Sequence, residues 1–174
     1  MIRDLTSDEI ECKVASVTEK GCQLLLYKTA RTDAKILDEV YGEMNWQCKY
    51  EEVKGNMYCT ISVWDEKKQQ WVSKQDCGIE SKFGDKEKGE ASDSFKRAGF
   101  KWGIGVELYN TPFIWIPADK CKNLKQEKDK SNQLKWTCRD KFYVEAIQIK
   151  DKEITGLAIK NELGRCFLYN KGGK

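Results

Sequence analysis

In the stretch MYCTISVW, residues Met57, Cys59, Ile61 and Val63 alternate with Tyr58, Thr60, Ser62 and Trp64. A period of two places the first set on one face of a β-strand and the second on the other, so this strand needs hydrogen-bonding neighbours and one covered face. The flanking sequence supplies both neighbours. WQCKYEEV (Trp46–Val53) precedes it across Lys54-Gly55-Asn56, a hairpin turn by composition, and WVSKQDCGI (Trp71–Ile79) follows the polar run DEKKQQ. The three runs predict an antiparallel meander.

The cover for that meander comes next in the chain. In KGEASDSFKRAGFKWGIGVELY (Lys88–Tyr109), Ala91, Phe95, Ala98 and Trp102 recur at helical spacing as one apolar stripe. Lys96 and Arg97 stand off that stripe, Lys101 lies one turn beyond Arg97, and Gly103 and Gly105 end the helix. Asp93, four residues before Arg97, is placed to orient its guanidinium.

The remaining segments are read with the same rules. Ser7 is placed to cap a short N-terminal helix, with Ile10, Val14 and Val17 loosely at helical spacing. QLLLY (Gln23–Tyr27) reads as a strand. TDAKILDEVYG reads as a helix capped by Thr32 or Asp33, with Ile36, Leu37 and Val40 inward and Gly42 as its stop. TPFIWIP (Thr111–Pro117) reads as one more strand, and the Lys-rich segment 118–135 as a loop or surface insertion. FYVEAIQI, EITGLAI and CFLY predict a C-terminal β-meander over 136–170. The expected organisation is a single α+β domain over 1–174, with a core at 10–117.

Composition excludes several chemistries. The 174 residues contain no His, which removes Ser-His-Asp and Cys-His catalysis. GDKEKGEAS lacks the Gly-Lys-Ser/Thr ending of a phosphate-binding loop, and GIGVEL lacks the third Gly of a dinucleotide turn. The eight cysteines are scattered with no CxxC pair, so their spacing argues against a metal site and for small apolar fillers in a reducing compartment. No apolar run is long enough to span a bilayer, and MIRDLTSDEI has no signal-peptide pattern, so a cytoplasmic location without membrane association is expected. The net charge of +3 is too small to mark a nucleic-acid binder by itself; what matters is where the cations cluster.

The order LDEVYGEMNW, three strands, then KGEASDSFKRAGFKWGIGVELY resembles the Rad-fifty-two-type single-strand annealing proteins, and is most similar to their short phage and prophage (Sak-type) members. That resemblance implies a curved antiparallel sheet backed by a helix, assembled into a ring or helical homo-oligomer. It implies a recombination and DNA-repair protein that holds single-stranded DNA in a basic groove and anneals complementary strands without ATP, cofactor or bond chemistry. An exonuclease or a single-strand-binding protein would be its partner in a bacterial host. Lys96 and Arg97 match the family's phosphate-holding pair, leaving base edges free to search for a complement. Lys82, Lys88 and Lys101 are further groove candidates. Arg31 is the nearest match to a family Arg before the LDEVYG helix, one residue out of register, with Lys35 as the alternative. Trp46, Trp71 and Trp102 are read as core or subunit-interface residues before base-stacking ones. Two other readings stand beside this one: a metal-dependent nuclease built on Glu51-Glu52 and Glu87/Glu90/Asp93, and a non-catalytic structural partner in a phage replication complex.

Overall fold

A computed structural model describes residues 2–79 and 86–172. In chain order its elements are β1 (Glu11–Thr18), β2 (Gly21–Tyr27), α1 (Ala30–Tyr41), β3 (Trp46–Val53), β4 (Asn56–Asp65), β5 (Gln70–Cys77), α2 (Lys86–Lys101), β6 (Ile114–Pro117), β7 (Leu124–Lys128), β8 (Leu134–Cys138), β9 (Tyr143–Lys150), β10 (Glu153–Asn161) and β11 (Gly164–Asn170). The class is α+β with antiparallel sheets. The chain divides into two compact units, one of Met1–Asp4 and Lys28–Val106, the other of Leu5–Tyr27 and Glu107–Lys174. The boundary falls within 10–117 because β1 and β2, paired with each other, take their outer sheet partners β9 and β6 from beyond helix α2 rather than from the central meander.

The first unit is the predicted β-β-β-α arrangement. Strands β3, β4 and β5 pair in sequence order, with Trp46 opposite Val63 and Val63 opposite Val72. Lys54 and Gly55 join β3 to β4 with φ of 53° and 76°, the left-handed pair that a two-residue hairpin turn requires. Helix α2 lies on β4 and β5 and buries Phe95 and Ala98 with Cys59, Ile61 and Val63. Helix α1 buries Ile36 and Leu37 and stops at Gly42, as its sequence predicts. Its cap is Thr29, whose hydroxyl accepts from the Thr32 amide at 3.3 Å, rather than Thr32 or Asp33.

Asp33 is instead fully buried and faces α2 at Gly99. A Cβ at position 99 would stand 2.4 Å from Asp33 Oδ2, so only glycine fits. Exchanging Gly for Ala inside a helix ordinarily stabilises by up to about 1 kcal/mol. Here the sign reverses. Gly99→Ala is expected to cost about 2 kcal/mol in urea unfolding with an unchanged m-value, overpacking being the cause.

In the second unit, six strands run in the order β11-β10-β9-β1-β2-β6, and the outer strands β11 and β6 touch, leaving a curved and nearly closed sheet. Its interior holds Leu24, Ile114, Ile116, Ile154, Leu157 and Ile159. The C-terminal meander is present as β9–β11, turning at Asp151-Lys152 and before Gly164.

Two sequence expectations are corrected in this unit. The N-terminal helix reduces to one 3-10 turn, Ser7–Glu9, capped by Thr6, and Glu11–Thr18 is a strand. A bulge between Val14 and Ser16 shifts the register there, so the strand's alternation is broken and Ile10, Val14 and Val17 imitate a helical spacing. Residues 118–135 are not a loop: after a 3-10 turn at Ala118–Lys120, β7 and β8 form a hairpin. Its turn is tied by Asp129, whose carboxylate accepts from the amides of Ser131 and Gln133 at 2.8 and 3.1 Å. Lysine-rich strands hide this hairpin, since they bury little and show no apolar face to read.

Candidate nucleic-acid interface

Helix α2 presents its cations where the apolar stripe leaves off. With Phe95 and Ala98 buried, Lys96 and Arg97 fall on the flank, their side chains 29% and 40% exposed. Neither is sealed inside the fold. Lys96 Nζ lies 3.9 Å from Asp93 Oδ1, a loose pair one turn back. Arg97 does not take Asp93, as its spacing suggested. Its Nη2 lies 3.5 Å from Asp76 on β5, while Asp93 Oδ2 accepts from the Ile79 amide at 3.1 Å. The strand beside the helix competes for the guanidinium and wins.

Asp76 also draws in Lys101, whose Nζ is 3.5 Å from its Oδ2 and donates to the Gln75 carbonyl at 2.6 Å. Lys74, two residues back on β5, donates to the Lys101 carbonyl at 2.7 Å and sits 4.5 Å over the Trp102 ring. Arg97 and Lys101 therefore share Asp76 along the end of α2 and β5, an edge strand of its sheet, Lys74 joins this strip through the Lys101 carbonyl, and Lys96 stands on the adjoining flank of α2 with Asp93. Nothing in the local sequence marks Lys74, because the strand pairing that carries it to Lys101 has no local signature. Beside the strip, a groove of about 560 Å³ is lined by Tyr41, Trp64, Trp102, Lys67, Lys68 and Lys74, with Asp65 and Glu66 among its other walls.

The other candidates are placed as follows. Lys88 is exposed near the start of α2, and Lys82 lies outside the described residues. Arg31 is exposed on the first turn of α1; Lys35, also exposed, pairs along its own helix with Glu39 at 3.7 Å. Trp46 and Trp102 are half-buried and donate inward, to Asp38 Oδ1 at 2.7 Å and to the Ile61 carbonyl at 3.1 Å, which fits core positions. Trp71 is more open, 42% exposed, against the edge of Trp64.

The strip is held in place from behind. Lys28 and Asp33 form a buried ion pair, with Nζ 2.6 and 2.5 Å from the two carboxylate oxygens, and Nζ also donates to the Lys96 carbonyl at 3.3 Å. Burial pushes the Asp33 carboxyl up to about 6, against the opposing pull of the Lys28 ammonium.

Three of the five acidic groups proposed for a nuclease have structural employment. Glu90 accepts from the Met57 amide at 2.7 Å, Asp93 from Ile79, and Glu51 from Gln75 Nε2 at 2.5 Å. Among the described residues, the one group of three or more potential ligands within 4.8 Å of one another is Cys22, Cys121 and Cys138. Scattered in sequence, these cysteines converge in space, which spacing rules do not detect. Among the same residues, no helix is long and apolar enough to cross a membrane. No protein-family model matches the chain, and neither the curated proteins nor the solved structures contain a significant match.

Proposed function

We propose that this chain binds single-stranded DNA without sequence preference and anneals complementary strands without nucleotide hydrolysis, acting as a homo-oligomer. The observation that carries the reading is the strip of Lys74, Arg97 and Lys101 around Asp76 on the α2–β5 edge, with Lys96 on the adjoining flank of the same helix, all half-exposed or exposed. Cations so arranged grip consecutive phosphates and leave base edges outward, which is what a search for a complement requires. The neighbouring groove, where lysines interleave with Tyr41, Trp64 and Trp102, supports the same reading, since aromatic faces accept any base. The sequence block Lys88–Tyr109, with its likeness to the annealing family, points the same way.

Mixing labelled complementary oligonucleotides with the protein is expected to speed duplex formation without ATP and leave strand length unchanged in Mg²⁺ or Mn²⁺. Light scattering with and without single-stranded DNA is expected to give a multiple of the chain mass in at least one state. Shortened strands would favour the nuclease, and a monomer in both states would overturn the annealing assembly.

A further inference from the structure

Three thiols meet in the second unit, at a place that strand and cation arguments leave unused. Cys22 is on β2 opposite Ile116 of β6, fully buried. Cys121 follows the 3-10 turn after β6, and Cys138 ends β8, paired with Leu124 at the open end of the hairpin. Cys121 and Cys138 thus stand at the two feet of the β7–β8 hairpin, and Cys22 is in the sheet beneath them. Their Sγ atoms lie within 4.8 Å of one another, with Cys22 and Cys121 at 4.0 Å.

We propose that Cys22, Cys121 and Cys138 bind a thiophilic cation, Zn²⁺, as three thiolates. Tetrahedral Zn–S bonds of about 2.3 Å put neighbouring sulfurs about 3.8 Å apart, so the sulfurs need only draw together by about 1 Å or less. A disulfide, by contrast, requires about 2.05 Å and leaves the third thiol idle. The chain has no His, and Asp140 is engaged by the amides of Lys122 and Asn123 at 2.7 and 2.9 Å, so the fourth position falls to water or an external ligand. Those Asp140 bonds fix the backbone that carries Cys121 and Cys138, the usual work of groups behind a metal ligand. Burial and neighbouring sulfurs push the thiols of Cys22 and Cys121 up. A cation turns that cost around by taking the thiolates, releasing protons as it binds.

The physical need for it lies in the hairpin. Its strands LKQEK and LKWTC bury little, and Leu134 is 64% exposed. An isolated two-stranded hairpin is marginal in water, and an ion at its feet supplies the anchor that apolar contact does not.

The test uses the full-length chain, fully reduced, with Zn²⁺ as the probe. Native mass spectrometry is expected to show a single Zn²⁺ per chain, and Co²⁺ substitution an intense thiolate charge-transfer band. Mapping iodoacetamide-modified peptides is expected to show Zn²⁺ protecting Cys22, Cys121 and Cys138 and leaving exposed Cys48 reactive. Cys138→Ser and Cys121→Ser should weaken Zn²⁺ binding about 100-fold or more, whereas Cys48→Ser should not. Zn²⁺ should also slow proteolysis within 124–138. No Zn²⁺ uptake by the reduced wild-type chain overturns the proposal, as does protection of a different set of cysteines. So does retention of Zn²⁺ by both serine variants. The protection map is read on the wild-type chain, so the outcome stands even if a variant fails to fold.

Discussion

Replacing Lys96 and Arg97 together by Ala lowers affinity for single-stranded DNA about 100-fold, the loss of two charge-assisted phosphate contacts, at about 2.7 kcal/mol by the tenfold-per-1.4 rule. The slope of log affinity against log salt falls by roughly 1.4, two contacts at about 0.7 each for a single strand. Stability changes by less than about 1 kcal/mol, because the ion pairs that these side chains make are long and partly solvated. Arg97 Nε is buried without a hydrogen-bond partner, so its removal breaks no bond there. Asp76 keeps Lys101 as its cation. Fluorescence anisotropy with a labelled oligonucleotide across a salt series measures both quantities, and light scattering checks the assembly. Wild-type affinity in the double variant would sink the site assignment; affinity lost with the salt slope unchanged would show that the two cations act on the fold and not on phosphates.

Much of the first unit was legible because its signals are local. Alternation in Met57–Trp64, the Lys54-Gly55 turn and the Ala91–Phe95–Ala98 stripe each follow from neighbours in sequence, and strands β3–β5 and helix α2 form where those patterns place them. Lys96 and Arg97 fall outside the stripe and stay partly exposed for the same reason. What escaped was non-local. That β1 and β2 belong with β6 and β9 depends on pairing between distant strands, and the bulge at Val14–Ser16 disguised β1 as a helix. Asp33 looked like a cap because it stands near a helix start. Its true role needs Lys28 behind it and Gly99 in front, and the Gly in Lys96-Arg97-Ala98-Gly99 is the trace of that contact in the sequence. Cys22, Cys121 and Cys138 converge only once β2, β6 and the β7–β8 hairpin are in place.

Lys28→Met is expected to be the most destabilising single change in the first unit. Lys28 is 7% exposed and Asp33 fully buried, so removing the ammonium leaves a buried carboxylate without its paired cation, at a cost of about 3–5 kcal/mol. Replacing both partners, Lys28→Met with Asp33→Leu, removes the stranded charge and should recover most of that loss. The pH dependence separates charge from packing. In the wild type the folded Asp33 carboxyl titrates near 6, above its ordinary range near 4, so the folded state holds the proton more tightly than the unfolded chain. Its contribution is therefore fully present below about pH 4 and is lost as pH rises to about 6. Without Lys28 the carboxyl shifts further up, so Lys28→Met should be closer to wild type at pH 5 than at pH 7.5, and the double variant should show neither step. Because Lys28 also donates to the Lys96 carbonyl, loosening it disturbs the turn that presents Lys96 and Arg97, and DNA affinity should fall even where the variant remains folded. Urea melts at the two pH values, with anisotropy at pH 5, decide the matter: an equal loss at both pH values would mean that the methionine fails by shape, and that the buried pair is not what positions the strip.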